Sequence, residues 1–294
     1  MSANGEPARQ SLRVMRSLLF APANQPDLVA KAPRSGPDAI VIDLEDAVPA
    51  DDKAQTRALV PPAARALRDS CGQSSAILLR VNSPATEWFD GDVANALCSE
   101  IDGVVIPKLE SAEQVWHVRR TLSAARRGKA FIIGGIETAI GVDNAAEVVR
   151  AGIDAVYFGA EDFIADMGGV RTSSSQEVLY ARSRVALCAR VAGIAPIDQT
   201  IAAFTDTAAF RSDATDGRAI GYRGKICIHP AQVPVANEIF GHTAAEVERA
   251  SRIVAAFEES ARRGAGVTVV DGQMIDEPHV RLARAVLADV ADRG

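Results

Sequence analysis

The chain has 294 residues, enough for one large α/β barrel or for two ordinary domains. A net charge of −6 and scattered lysines and arginines argue against binding to nucleic acid or to an anionic membrane surface. No apolar run reaches the length of a membrane span, and the first ten residues lack the apolar segment of a secretion signal, so the cytoplasm is the expected compartment.

The cysteines Cys71, Cys98, Cys188 and Cys227 lack the paired spacing of a disulfide framework or of a zinc site. We therefore expect reduced thiols within or beside regular elements. The first dozen residues are polar, and a disordered segment is expected over residues 1–15.

The first half of the chain alternates between apolar strands and helices. Strands are predicted over residues 16–22, 38–44, 75–82 and 102–108. Helices are predicted over residues 27–32, 51–60, 61–68 and 92–98, and after the N-cap Ser111. The strands are continuous apolar runs, which is typical of a parallel sheet covered on both faces.

The stretch from Phe131 to Phe163 is the clearest unit of the second half. It reads as an apolar strand that ends in Glu137, a helix, and a second apolar strand that ends in Glu161 and Asp162. Such a unit forms a right-handed crossover, so the C-terminal ends of its strands lie side by side. Two carboxylates at one rim repel each other unless a cation or a proton lies between them, and few oxygen ligands favour Mg²⁺ over Ca²⁺. The alternative is that these acids only begin solvated loops.

Eight strand–helix units are complete once the remaining segments are added, namely helices at 175–192 and 204–219 and strands at 193–198 and 222–228. They predict a (β/α)₈ TIM barrel over residues 16–230. An open doubly wound sheet is the alternative, but no Gly-rich dinucleotide loop or P-loop follows a strand. Residues 231–294 are predicted to form a C-terminal helical appendage, a lid and oligomerisation segment that contains the extended stretch GVTVVDGQMIDEP.

Charged side chains collect at the predicted strand ends, where barrel enzymes carry their catalytic groups. These ends hold Glu45, Asp46, Arg80, Asn82, Lys108, Glu137, Glu161, Asp162 and His229. Several acids together with an arginine are typical of a site for an anionic substrate that is bound with a metal ion.

Seven motifs in order resemble one known family. They are RSLLFAPAN, DAIVIDLEDAV, LLRVN, VVIPKLESAEQV, GGIETAIGVDNAAEV, YFGAEDF and KICIHPAQV. The chain thereby resembles the citrate lyase β-subunit (CitE-like) proteins of the HpcH/HpaI aldolase superfamily, from about Arg16 to beyond Asp276. The resemblance implies a (β/α)₈ barrel that makes or breaks a carbon–carbon bond through an enolate with Mg²⁺. Substrates in that family are typically 3-hydroxy acyl thioesters carried on coenzyme A or on an acyl-carrier protein.

The resemblance places Glu137 and Asp162 on the family's metal ligands and Arg80 on the arginine that binds the oxo acid. These residue types suit the chemistry, because carboxylates bind Mg²⁺ and a guanidinium holds a carboxylate with two parallel hydrogen bonds. An alternative is that Arg80 only pairs with Glu45 or Asp46 in the barrel mouth.

Three further acids receive roles from the same resemblance. Asp276 falls on an acid that the C-terminal lid of a neighbouring subunit contributes, which implies a homo-oligomer, a trimer or a multiple of one. Glu45 and Asp46 fall on an acidic pair near the water shell of the metal and near the thioester. From the residues alone, Asp46 reads equally well as an acid at a helix N-terminus, and Asp276 reads as a polar turn residue.

Two positions depart from the family pattern. Gln25 stands where the family often has an arginine near the phosphates of the carrier, so coenzyme A loses one expected charged contact. Asp198 and Gln199 stand where the family often has Asp-Gly, and the seventh loop is therefore expected to differ in shape.

The function favoured by these observations is a Mg²⁺-dependent lyase that cleaves a malyl- or citramalyl-type acyl-CoA to an oxo acid and acetyl-CoA. The alternatives are the β-subunit of a citrate lyase complex, a coenzyme A-independent aldolase of 4-hydroxy-2-oxo acids, and a barrel kept as a scaffold. The expected partners are small molecules, an acyl-CoA and an oxo acid, and further copies of the chain.

Overall fold

Eight parallel strands close into a barrel in chain order, which confirms the predicted (β/α)₈ fold. The computed structural model describes residues 15–291, so the predicted N-terminal disorder lies outside the described residues except at Met15. The strands are β1 Ser17–Pro22, β2 Ala39–Asp43, β3 Ala76–Arg80, β4 Gly103–Ile106, β5 Phe131–Ile136, β6 Ala155–Phe158, β7 Ala195–Asp198 and β8 Gly224–Cys227. Their side chains alternate between the barrel interior and the layer of helices outside it.

Helices pack around the barrel and share one hydrophobic core with it. They are α1 Pro26–Lys31, α2 Lys53–Thr56, α3 Val60–Cys71, α4 Phe89–Asn95, α5 Ala112–Ala124, α6 Ala139–Asp143, α7 Ala145–Arg150, α8 Ala160–Met167, α9 Leu179–Ala192, α10 Thr207–Ile220 and α11 Gln232–Ile239. Short 3₁₀ turns precede or follow α1, α2, α3 and α9.

The predicted element boundaries were wrong at two places near the site. β6 ends at Phe158, and Glu161 and Asp162 lie in the first turn of α8 instead of at a strand end. Acids are favourable there because unpaired N–H groups give a helix N-terminus partial positive charge. The single helix predicted after β5 is divided at Asn144 into α6 and α7.

Strand register brings particular residues together inside the barrel. Asp43 of β2 is aligned with Arg80 of β3, and both stand at the C-terminal ends of their strands. Gly135 of β5 is aligned with Tyr157 of β6, and a Cβ atom at Gly135 would lie 2.4 Å from the tyrosine hydroxyl. The missing side chain of Gly135 therefore leaves the space that the phenol ring fills.

The barrel unit extends from Met15 to Phe240, ten residues beyond the predicted domain boundary. The reason lies in α11, whose residues Val233 and Ala236 are buried in the core of the barrel unit. Of the described residues, all four cysteines are free thiols, as expected. No helix within residues 15–291 has both the length and the apolar character that crossing a membrane requires.

A second compact unit begins at Gly241, and its described part ends at residue 291. It contains α12 Ala244–Arg262, the antiparallel hairpin β9 Thr268–Val270 and β10 Gln273–Ile275, and α13 Glu277–Ala291. Asp271 and Gly272 form the turn with φ of 50° and 74°, the left-handed pair that a tight hairpin needs. The stretch predicted to be extended is thus a hairpin, and its residues Val270 and Ile275 are buried in the core of this unit.

Candidate active site

A cavity of about 410 Å³ lies at the C-terminal ends of the barrel strands. Its walls include Arg80, Asp46, Glu137 and Asp162, four of the six residues predicted for the site. This is the face of a (β/α)₈ barrel on which catalytic groups are carried.

Arg80 forms a bidentate ion pair that the sequence did not reveal. Its Nε and Nη2 atoms donate to the two carboxylate oxygens of Asp43 at 2.7 and 2.6 Å. The third guanidinium nitrogen, Nη1, lies 3.0 Å from Glu45 and 3.7 Å from Asp46. The pairing with Glu45 and Asp46 that was considered as an alternative is therefore present, and Asp43 is the partner with two hydrogen bonds.

Lys108 connects the acids on the two sides of the cavity mouth. Its ammonium lies 2.5 Å from Glu45, 3.3 Å from Asp46 and 3.5 Å from Asp162. Its backbone N–H donates to Glu137 at 2.8 Å, from a residue with the left-handed φ of 54°. Lys108 therefore contacts four of the acids at this rim.

The pKa values of Glu45 and Asp46 are shifted in opposite directions although the two residues are adjacent in sequence. Burial raises the pKa of Glu45 to about 7, against the nearby charges of Arg80 and Lys108. Asp46 is half exposed, and burial also opposes its ionisation. A hydrogen bond from Glu45 and the charges of Arg80 and Lys108 outweigh that effect and lower the pKa of Asp46.

Glu137 directly follows β5, and the turn after it and the space beside Gly159 determine where its carboxylate lies. The Thr138 hydroxyl accepts the Gly141 N–H at 3.1 Å and donates to Glu110 at 2.8 Å, which fixes the turn into α6. Gly159 leaves room for the carboxylate, because a Cβ atom there would lie 2.4 Å from Glu137 Oε1. Burial raises the pKa of Glu137, and the charge of Asp162 adds to the rise.

Glu137 and Asp162 are the carboxylates that could hold a metal ion. Among the described residues no group of three or more His, Cys, Asp or Glu side chains is arranged for metal binding. Two carboxylates with water and substrate oxygens suit Mg²⁺, which usually keeps several of its waters. Glu161 instead pairs with Arg171 at 3.0 Å.

Tyr157 is a cavity residue that sequence reasoning missed. Its ring is buried inside the barrel, and no described group accepts a hydrogen bond from its hydroxyl with good geometry. Burial raises the pKa of the phenol well above its ordinary value, and the negative charge of nearby Glu137 adds to the effect. The signal in the sequence was a tyrosine, with its polar hydroxyl, in the otherwise apolar strand AVYF.

Asp276 belongs to the second compact unit and precedes α13. Its carboxylate pairs with the ring of His279, and this hydrogen bond lowers the pKa of Asp276. The carboxylate is about one-third exposed, at 36 %.

Comparisons with known proteins find chains that are similar to this one in sequence and in fold. The family described as HpcH/HpaI aldolase/citrate lyase matches residues 16–230. A citrate lyase subunit beta-like protein of Deinococcus radiodurans is 47 % identical over 281 residues, covering 95 % of this chain and 98 % of that protein. A (3S)-malyl-CoA thioesterase of Cereibacter sphaeroides is 35 % identical over 278 residues, with 93 % of each chain covered. The structure of CitE from Mycobacterium tuberculosis in complex with magnesium, acetoacetate and coenzyme A matches with a TM-score of 0.75 at 28 % identity, covering 95 % of this chain and 98 % of that one.

Proposed function

The chain belongs to the HpcH/HpaI aldolase/citrate lyase family and is a lyase of that family, and from this premise we propose that it cleaves a malyl- or citramalyl-type acyl-CoA with Mg²⁺. The carbon–carbon bond beside the hydroxyl-bearing carbon breaks, and its electron pair remains on the thioester as an enolate. The hydroxyl loses its proton and becomes the carbonyl of the oxo acid. Protonation of the enolate carbon then gives acetyl-CoA. One observation carries the proposal: a single cavity brings Arg80 together with Glu137 and Asp162.

Glu137 and Asp162 would hold the Mg²⁺ ion in this proposal. The space that Gly159 leaves beside Glu137 and the all-oxygen donor set both fit the ion. When bound, Mg²⁺ would supply Lewis-acid stabilisation of negative charge on the oxygens of the substrate.

Arg80 would bind the carboxylate of the oxo-acid part of the substrate. Asp43 fixes the guanidinium plane through Nε and Nη2, so the remaining nitrogen is presented in one orientation. A fixed cation costs little reorganisation when negative charge develops on the substrate, which is the main requirement for electrostatic catalysis.

Proton exchange falls to the acids in this proposal. Glu45, with a pKa of about 7, can give or take a proton near neutral pH, and Asp46 lies beside it. We further propose, from the family resemblance, that Asp276 of a neighbouring subunit protonates the enolate carbon in a homotrimer or a multiple of one.

The reaction is tested by incubating the protein and Mg²⁺ with malyl-CoA, citramalyl-CoA and citryl-CoA. Oxo acid and free thiol are measured separately, because cleavage of the carbon–carbon bond releases an oxo acid and no thiol. We expect glyoxylate or pyruvate to appear with acetyl-CoA. Free coenzyme A without an oxo acid would mean thioester hydrolysis and would contradict the proposal.

The metal site is tested by measuring Mg²⁺ affinity calorimetrically, with no substrate present. Glu137→Gln and Asp162→Asn should each weaken binding at least tenfold, whereas Glu161→Gln should change it little. Gly159→Ala should also weaken binding, because its Cβ atom displaces Glu137. Gly169→Ala is the matched control, since its Cβ atom would approach other atoms no closer than 3.4 Å. Equal affinities in the Glu161 and Asp162 variants would contradict the assignment.

A citryl thioester on an acyl-carrier protein is the second candidate substrate, favoured by the citrate lyase subunit beta-like relative. The same cavity would serve it. Copurification with a carrier subunit, or preference for a citryl thioester in the panel, would favour this function. Cleavage of free 4-hydroxy-2-oxo acids would indicate an aldolase that does not need a thioester.

A further inference from the structure

The cavity has two unlike halves. Charged groups lie on the side formed by β2, β3, β5 and the start of α8, where Asp43, Arg80, Glu137 and Asp162 are found. The other side, formed by the loop after β7 and by β8, is lined by Thr200, Ile226 and Ile228, whereas Phe20 of β1 packs against Arg80. Among the described lining residues on this second side, Thr200 has the only polar side chain.

The proposed substrate is divided in the same way. One end carries a carboxylate and the hydroxyl that becomes a carbonyl, and the other end is an uncharged thioester. Arg80 is the only cationic side chain among the described residues that line the cavity, so the carboxylate belongs on its side. A carboxylate placed against the apolar side would lose hydration without a partner, which is strongly unfavourable.

Thr200 stands opposite Arg80. In the closed order of eight strands, β7 lies four strands from β3, and Thr200 follows the end of β7 by two residues. Its hydroxyl oxygen is buried and has no hydrogen-bond partner in the described part of the chain. An unpaired buried hydroxyl destabilises a folded protein, so a ligand that pairs it gains affinity.

Buried ionic contacts hold the backbone beside Thr200 in place. The Lys225 ammonium donates to the backbone carbonyl of Gln199 at 2.7 Å, and the Gln199 side chain donates to Asp213 at 3.0 Å. Lys225 and Gln199 are both fully buried. The position of Thr200 is therefore set before any substrate binds.

We propose that Thr200 donates a hydrogen bond to the thioester carbonyl oxygen of the substrate, on the side of the cavity opposite Arg80. This deepens the proposed lyase function and rests on it. One unpaired donor on an uncharged wall matches the one acceptor of an uncharged thioester. The hydrogen bond strengthens when the carbonyl becomes an enolate and its oxygen gains negative charge.

Thr200→Val tests the proposal, because valine keeps the shape of threonine and lacks its hydroxyl. We expect kcat/KM to fall 10- to 100-fold, while Thr200→Ser stays within about threefold of the parent. The affinity for the free oxo acid with Mg²⁺, measured calorimetrically, should not change, because that end binds on the other side. Thr205→Val, at an exposed position of the same loop, is the matched control.

A second readout separates binding from structural support. Without ligand, Thr200→Val should melt at the same temperature as the parent or higher, because it removes an unpaired buried hydroxyl. Exchange of the acetyl-CoA methyl protons with deuterated water, followed by NMR, should slow in parallel with kcat/KM. Unchanged exchange and kcat/KM in an active enzyme would overturn this inference and leave the lyase function standing. A parent protein that cleaves no thioester in the panel would overturn both.

Discussion

The guanidinium of Arg80 has its donor atoms divided between two directions. Two nitrogens are used by Asp43, and Nη1 is turned toward Glu45. The plane also packs against the ring of Phe20, with 5.1 Å between the guanidinium carbon and the ring centre. Lysine has one nitrogen and no plane, so it cannot keep the ion pair, the ring contact and a substrate contact together.

Arg80→Lys should lower kcat/KM roughly 30-fold or more, because it removes charged hydrogen bonds. This corresponds to a loss of about 2 kcal/mol of transition-state stabilisation. The measurement is steady-state kinetics with the best thioester of the panel. Arg57→Lys is the matched control: Arg57 is similarly buried, pairs with Asp92 at 2.7 Å, and does not line the cavity. If the two variants lose activity equally, Arg80 has a structural role only.

Glu45 makes the stability of the folded protein depend on pH. Its pKa is about 7 in the folded protein against 4.5 as the ordinary value, because burial favours the protonated form. Between these two pH values the folded protein holds a proton that the unfolded chain has released. The free energy of unfolding should therefore fall as pH rises from about 4.5 to 7, by a contribution on the order of 3 kcal/mol.

Glu45→Gln should remove that contribution. The test is urea unfolding in EDTA at pH 4.5 and pH 7, with the difference between the two free energies compared across variants. Glu113→Gln, at an exposed position in the first turn of α5, should keep the pH dependence of the parent. The same difference in the Glu45 variant as in the parent would show that Glu45 is ionised throughout.

Residue types at the site were predictable, whereas their pairings were not. Glu137, Asp162, Arg80 and Asp46 line one cavity because each lies at the C-terminal end of an apolar strand or within a few residues after it. Asp43 was overlooked because it lies inside the second strand motif, and only its alignment with Arg80 reveals its partner. The side chains that meet are 37 residues apart, and no local pattern reports a register over that distance.

At the scale of elements, continuous apolar runs identified all eight barrel strands. The sequence pattern did not indicate that two of these strands contain buried charged residues, Asp198 in β7 and Lys225 in β8. These residues meet Arg182 of α9 and Asp213 of α10, with Lys225 2.9 Å from Asp198 and 2.5 Å from Asp213. Two cations and two anions balance, which makes burial of all four tolerable.

Lys225→Met should destabilise the protein by about 3–5 kcal/mol, since it leaves Asp198 and Asp213 with one buried cation between them. The measurement is the free energy of unfolding from chemical denaturation. Arg211→Met is the control, because the ion pair of Arg211 with Glu238 is largely exposed, and we expect it to change the stability little. Equal effects in the two variants would mean that the buried cluster contributes no more than a surface pair.

At the scale of the whole molecule, the chain separates into a barrel unit and a C-terminal unit, and the acids predicted for the site are divided between them. Glu137 belongs to the first unit and Asp276 to the second. The sequence located the barrel because its strands and helices alternate. The pattern of strands and helices could not indicate whether Asp276 reaches an active site, since that depends on assembly.

We expect the active form to be a homo-oligomer in which Asp276 acts on a neighbouring subunit. Glu137→Ala and Asp276→Ala should each be inactive alone. After subunits exchange in an equal mixture, about one quarter of the sites should combine an intact barrel with an intact Asp276 from its neighbour. The recovered kcat should therefore approach one quarter of the parent value.

The control is a chain carrying both substitutions, which should restore no activity when mixed with either single variant. Size-exclusion chromatography with light scattering measures the oligomer, and mixing of differently tagged chains verifies exchange. A mixture that stays inactive after verified exchange would mean that Asp276 acts within its own subunit or has no catalytic role. In that case Asp276 would only stabilise the start of α13. There its carboxylate pairs with His279, and its backbone carbonyl accepts the Val280 N–H at 3.1 Å.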